Sequence, residues 1–321
     1  MLESLIKGKG DIYELNLEGV FPRPKLYQSC ELYESLKDSV LYDRERGQWN
    51  YIMSEKQELL NIERRAYNQL LGVLVETQLD LQNARGCYEN LKETNLYDSV
   101  KEQWCYTMKE GQEFGSSDLY ARDLLLGVLV EAQFNLDVAL KQYEKLKQTP
   151  LYDEEKGQWN QYMDNWQRHW NSFCFADAQL LGVLTEAQFN PKAAQKMYDT
   201  LKQTPLHDTE REQWNEFMNE KQELKSKERY ADIQLLAVLV EAQFNPDVAR
   251  EKYRALKDNT PLYDTKSRQW NCRMDEEQVL GSTHRVVSAQ LLAILVEAKL
   301  LNSLPRSITR TIPPLPIITE F

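Results

Sequence analysis

An apolar segment ending on a glutamate, followed by Leu-Tyr-Asp, a polar turn and Gln-Trp, returns about every 55 residues along this chain. The apolar segment stands at Gln69–Glu76 and again at Leu126–Glu131, Leu180–Glu186, Leu235–Glu241 and Leu291–Glu297. Leu-Tyr-Asp begins at Leu41, Leu96, Leu151 and Leu262, and at Leu206 with His207 in place of the tyrosine. The tryptophans follow at Trp49, Trp104, Trp159, Trp214 and Trp270. A unit repeated at a fixed period can bury its apolar face only against its neighbours, so the repeat dictates the architecture before any other feature does.

One unit, residues 206–261, shows how each piece folds. Leu206-His207-Asp208 and Gln213–Met218 form two short strands around a turn. A first helix runs from about Arg229 to Ala242, and Asn245-Pro246-Asp247 stops it and starts a second, to about Lys257. The first helix is apolar on nearly every side over 235–240, so protein must surround it. The second carries one stripe, Val248, Ala249, Tyr253 and Leu256, and packs on one face only. Inner helices ringed by outer helices satisfy both patterns; an open solenoid would show one-sided stripes on both.

The chain opens with an unpaired outer helix, about 25–37, and closes with an unpaired inner one, about 286–301. Pairing the two closes a ring. The expected fold is all-α, a closed (α/α)5 toroid of five repeats over 25–301, with short β-hairpins on the face of the long connections. Residues 1–24 form an N-terminal extension and 302–321 a Pro-rich arm, whose apolar residues offer a contact across the barrel or to a second subunit.

A net charge of −11 disfavours nucleic acid or an anionic membrane as partner. The N-terminus lacks the apolar core of a signal peptide, and every apolar run meets a glutamate too soon to span a bilayer, so a cytoplasmic setting is expected. The five cysteines lie in different repeats without a CxxC, which signals neither zinc nor a disulfide framework. No Gly-rich phosphate loop, metal motif or nucleophile elbow occurs, so no cofactor and no metal is expected.

Tyr-Asp, a turn with glycine, an aromatic strand and then Arg229-Tyr230-Ala231 with Gln234 leading an apolar helix resemble the repeat of the α/α-toroid enzymes. Among these are the sugar 2-epimerases and unsaturated glucuronyl hydrolases. Gly47-Gln48-Trp49 and Gly157-Gln158-Trp159 are similar to the QW repeat of triterpene cyclases, another α/α barrel. The resemblance implies the barrel fold and a carbohydrate ligand. The chain departs from it in lacking the cyclases' run of adjacent aspartates and the epimerases' His-rich site, since its only histidines are His169, His207 and His284.

The long connections all emerge over the N-termini of the inner helices, the face on which loops carry function. There the repeats stop agreeing. Two residues before the recurrent glutamine stand Tyr67, Arg122, Asp177, Asp232 and Ser288, and two earlier Arg65, Tyr120, Phe175, Tyr230 and Val286. Asp177 and Asp232 supply a carboxylate pair for acid–base work on a sugar, Tyr67, Tyr120, Phe175 and Tyr230 an aromatic platform, and Arg122 an anion clamp. The plainer account puts the two aspartates in first helical turns, where the dipole favours acids, and the aromatics in the core. The third repeat adds Trp166 and Trp170, further ligand contacts or an interface, and His169, a proton carrier if it points inward.

Asp43, Asp98, Asp153, Asp208 and Asp264 are expected to bond their own turns. The five tryptophans are expected to pack there, with their indole N–H groups on loop carbonyls. The five glutamates ending the inner helices, unfavourable at that end of the dipole, call for lysines or arginines from the outer helices. Three functions compete: a toroid that binds and processes a small-molecule or oligosaccharide ligand, a non-catalytic scaffold for another protein, and isoprenoid chemistry. The divergent mouth favours the first.

Overall fold

In a computed structural model of the protein, residues 24–109, 114–116, 118–163, 169–171 and 173–303 are described, with the backbone alone for 24–27, 114–116 and 169–171. The described residues hold ten helices: α1 (Pro24–Lys37), α2 (Ala66–Leu79), α3 (Leu81–Lys92), α4 (Ala121–Glu131), α5 (Leu136–Lys147), α6 (Ala176–Phe189), α7 (Pro191–Leu201), α8 (Ala231–Phe244), α9 (Pro246–Asn259) and α10 (Val287–Asn302). The even-numbered helices are the apolar ones. All of α8 from Ile233 to Ala242 is buried, whereas α7 buries only Ala194, Tyr198 and Leu201.

The apolar helices pack in succession, α2 on α4, α4 on α6, α6 on α8 and α8 on α10, and α10 packs back on α2. Each polar helix lies on the apolar helix before it in the chain; α1, which has none before it, lies on α10. Short strands follow the same cycle. Arg64–Arg65 pairs with Thr107–Met108 of the next unit, and Arg285–Val286 of the last unit pairs with Ile52–Met53 of the first. No described helix is long and apolar enough to cross a membrane.

The turn from apolar to polar helix is as short as one residue. Asp80, Asn190 and Asn245 each end one helix and cap the next, accepting from Asn83, Ala193 and Val248 N–H groups with side-chain oxygens. The glutamates find their lysines. Lys37, Lys92, Lys147, Lys202 and Lys257 reach Glu76, Glu131, Glu186, Glu241 and Glu297 at 3.4, 3.1, 2.8, 3.3 and 3.5 Å. Tyr88, Tyr198 and Tyr253 donate hydroxyl hydrogen bonds to the same acids. Each such pair ties one outer helix to the inner helix that follows it.

The tryptophans work through their backbone. Gln69 accepts from Trp49 N–H at 2.8 Å and donates to Trp49 C=O at 2.7 Å, and Gln179, Gln234 and Gln290 hold Trp159, Trp214 and Trp270 in the same way. Four helices thus grip four strand pairs by one amide each. The second unit has Leu124 at this position, which offers no such grip. The indoles lie against the inner helix, not on loop carbonyls as expected, and the Trp159 Nε1 has no partner. A Cβ on Gly182 would stand 2.3 Å from that Nε1, so in this unit the ring takes the space a side chain would fill. Ala237 and Ala293 occupy the matching place beside Trp214 and Trp270. Gly182→Ala is therefore expected to force the ring outward and lower stability by about 1–3 kcal/mol, read from urea midpoints.

The turn aspartates bond their own backbone as expected: Asp43 Oδ1 accepts from the Glu45 and Arg46 N–H groups, and Asp208 Oδ1 from those of Glu210 and Arg211. They also do something the turn alone does not require. Asp43, Asp208 and Asp264 pair with Arg64, Arg229 and Arg285, guanidiniums almost wholly buried, at 2.6, 2.5 and 2.9 Å. Leu119 and Cys174 stand in place of those arginines in the second and third units.

Candidate functional site

The first N–H of each apolar helix has no partner within its own helix. Here it is given to the neighbouring unit: Ala66, Ala121, Ala176 and Ala231 donate to the carbonyls of Tyr106, Gln161, Glu216 and Cys272, and Val287 donates to Tyr51. This bond sets the residue two after each tryptophan beside the first turn of the preceding unit's helix. The two sets of side chains together line a cavity of about 220 Å³.

Six of the residues singled out from the sequence meet there or beside it: Tyr67, Arg122, Phe175, Asp177, Tyr230 and Asp232 all line the cavity. Tyr120 does not; it stacks between Tyr106 and Tyr162, ring centroids 4.2 and 5.2 Å away. Trp166 lies outside the described residues. His169 and Trp170 fall on the strand His169–Asn171, which pairs with Tyr162–Met163 and of which only the backbone is described.

Several lining residues escaped the sequence reading, among them Tyr51, Asn68, Glu216 and Cys272. The signal for three of them was present. Tyr51, Tyr106, Gln161, Glu216 and Cys272 hold one repeat position with four different residue types, although the tryptophan two residues earlier never changes.

Arg122 is not a free anion clamp. Its Nη1 donates to Asp177 Oδ2 at 3.1 Å, its Nε lies 3.7 Å from Asp123 Oδ1, and its guanidinium sits 5.1 Å from the Tyr67 ring centroid. Burial works against its charge, but Asp177 and Asp123 outweigh that and hold it firmly protonated. Arg65 is committed as well, bonded to Glu63 and resting 3.5 Å over the Tyr51 ring.

Asp232 accepts from its own helix at Ile233 N–H and from the Ser288 hydroxyl at 3.2 Å. Burial, and then the negative Asp177, push its carboxyl up from the ordinary range, with Arg122 opposing. Burial also raises Glu216, helped by Glu228 and Asp177; its one side-chain bond comes from the Ser226 hydroxyl. Tyr67 and Asn68 are 3% and 1% exposed, and Tyr67 Oη and Asn68 Nδ2 have no partner. The cavity thus brings together a carboxyl raised by burial, an ion-paired carboxylate and aromatic walls, and two of its lining residues keep a buried polar atom without a partner.

Asp123, behind Arg122, is 0% exposed and neither of its oxygens has a hydrogen-bond partner. Burial lifts it from 3.8 to about 7, against the pull of Arg122 and Arg65. Between those values the folded chain keeps a proton that the unfolded chain has released, so this residue lowers stability as pH rises through the window. Asp123→Asn is expected to flatten that fall. Urea midpoints at about pH 5 and about pH 8 should converge in the variant relative to wild type.

No protein-family model matches the chain, and no curated protein matches it in sequence. Solved structures do resemble it. D-mannose isomerase superposes with a TM-score of 0.59 at 10% identity, covering 89% of this chain and 100% of that one. The cellobiose 2-epimerase of Bacillus thermoamylovorans gives 0.56 at 10% identity, over 85% of this chain and 99% of that one. An α-1,6-mannanase of Salegentibacter gives 0.53 at 11% identity, over 86% and 99%. The likeness shows that the chain has a fold of the α/α-toroid type.

Proposed function

We propose that this chain is a closed (α/α)5 toroid that binds a carbohydrate at the mouth of its ring and processes it by acid–base chemistry. The packing of α10 on α2 and the pairing of Arg285–Val286 with Ile52–Met53 support the closed ring. The observation that carries the function is the concentration of unlike polar groups at one cavity of a chain otherwise built from equal units. The isomerase, epimerase and mannanase that share the fold act on sugars by name, and support the same substrate class.

In this reading Asp232 donates the proton and Asp177, with Arg122 across from it, accepts one. Phe175 and Tyr230 stack on a sugar face. Tyr67 Oη and Asn68 Nδ2 meet ring hydroxyls, which would end their unpaired state. A cavity with this many ionic and polar groups suits a polyol better than a hydrocarbon, which sets the isoprenoid reading aside. Trp166 and Trp170 are further ligand contacts in this reading, His169 a proton carrier, and the 302–321 arm the contact of a homo-oligomer.

The test is incubation with aldoses, β- and α-linked disaccharides and mannooligosaccharides in heavy water, followed by proton NMR. Deuterium entering C2 identifies isomerase or epimerase chemistry, and new reducing ends identify hydrolysis. Neither signal, together with no sugar binding by calorimetry, overturns the proposal.

A further inference from the structure

One acid of the cavity has no cation of its own. Among the described residues its lining holds three carboxyl groups, Asp177, Glu216 and the proton donor Asp232, and two guanidiniums, Arg65 and Arg122. Both guanidiniums are already spent. Arg122 faces two acids, Asp177 and Asp123, with one charge, and Arg65 is bonded to Glu63 outside the lining. Asp232 is held by Ser288 and its own helix. Glu216 has a single neutral donor, Ser226, on one oxygen. The nearest guanidinium of the fifth unit, Arg273, is tied to Glu228 and to the Tyr230 hydroxyl.

A half-buried carboxylate with no cation of its own is costly unless it is protonated or a ligand brings the charge. The surroundings of Glu216 favour a ligand. Phe175 and Tyr230 line the same cavity, and Phe217 stacks on Phe175 at 4.7 Å, so aromatic faces stand where a cation would come in. Tyr67 and Asn68 belong to the same lining, and their buried Oη and Nδ2 lack partners, which leaves two bonds for neutral hydroxyls beside one charged group.

Resting on the carbohydrate reading above, we infer that the ligand is an amino sugar with a free ammonium group, and that Glu216 is the residue that selects it. The ammonium replaces the missing cation at Glu216 while Asp177 and Asp232 remain for proton transfer. An acetylated amine, which is neutral, leaves Glu216 uncompensated and places a methyl group against it.

Calorimetric titration of the full chain with matched 2-amino, 2-acetamido and parent forms of glucose, mannose and galactose tests this, with 2-aminocyclohexanol as an amine that is not a sugar. The 2-amino form of one sugar should bind at least about tenfold more tightly than its acetamido and parent forms, the scale of one charged hydrogen bond. In Glu216→Gln, checked for a native unfolding transition, that preference should fall within about twofold. Equal binding of parent and amino sugars overturns the ammonium inference and leaves the carbohydrate reading standing. Tight binding of 2-aminocyclohexanol with no gain from the sugar overturns the carbohydrate reading instead. A preference that survives Glu216→Gln removes Glu216 as its origin, and silence from every ligand overturns both readings.

Discussion

Asp232→Asn is expected to lower turnover of the sugar substrate by about 10²–10⁴-fold, the usual contribution of a positioned general acid. The substitution keeps the shape of the side chain and its acceptor toward Ser288, so the first turn of α8 should stay in place. What it removes is the proton. Burial and Asp177 raise the Asp232 carboxyl from its ordinary range, and an amide has no such proton to deliver. The rate should fall in kcat, with the sugar still bound, since the lost interaction belongs to the transition state. Asp177→Asn should also lose turnover, because it removes the negative charge that faces Arg122 across a 3.1 Å bond. A loss appearing only in KM, in either variant, would assign the aspartates to binding and not to proton transfer.

Gln179→Leu should produce the largest loss of stability from a single polar side chain, about 2–4 kcal/mol by denaturant midpoint. Gln179 is 1% exposed, and its amide satisfies both the N–H and the C=O of Trp159. Removing it strands two buried backbone groups at about 1–3 kcal/mol each, which local relaxation partly recovers. The second unit already lives without this bond, because Leu124 stands at the same place. The reverse change, Leu124→Gln, is accordingly expected to stabilise, by about 0.5–1.5 kcal/mol for each bond regained. If Gln179→Leu proves neutral, the amide grip does not hold the repeats together.

The difference between inner and outer helices was legible because burial on all sides and burial on one side leave different periodicities, as in 235–240 against 248–256. The Lys–Glu ties were legible as well. An acid at the wrong end of a helix dipole asks for a cation, and an outer helix supplies one 39 residues earlier in the first unit, Lys37 to Glu76. The glutamine grip was not. Gln69 recurs in four of the five units, yet nothing local to it or to Trp49 says that a side chain on a helix will bond a strand backbone 20 residues before it.

The site divided along the same line. Asp177, Asp232, Arg122 and the aromatics at Phe175 and Tyr230 stood out because they share one helical turn and differ from unit to unit. Glu216 and Tyr51 were missed because they reach the cavity from the next unit around, through the bonds from Ala176 N–H to Glu216 C=O and from Val287 N–H to Tyr51 C=O. That contact crosses 40 residues in one case and 236 in the other, so no window on the sequence contains it. Arg122 was misjudged for a related reason: its role as an anion clamp depended on being free, and Asp177 of the neighbouring unit takes up its charge.

The central claim is that a sugar binds in the cavity between Phe175 and Tyr230, and calorimetry on wild type, Phe175→Ala and Tyr230→Ala tests it most directly. The expected result is a saturable one-to-one isotherm for one class of sugar in the wild type, weakened by about tenfold or more in each variant while the unfolding transition of each stays cooperative. A sugar isotherm identical in all three proteins, or none in the wild type with any mono- or oligosaccharide, would contradict it.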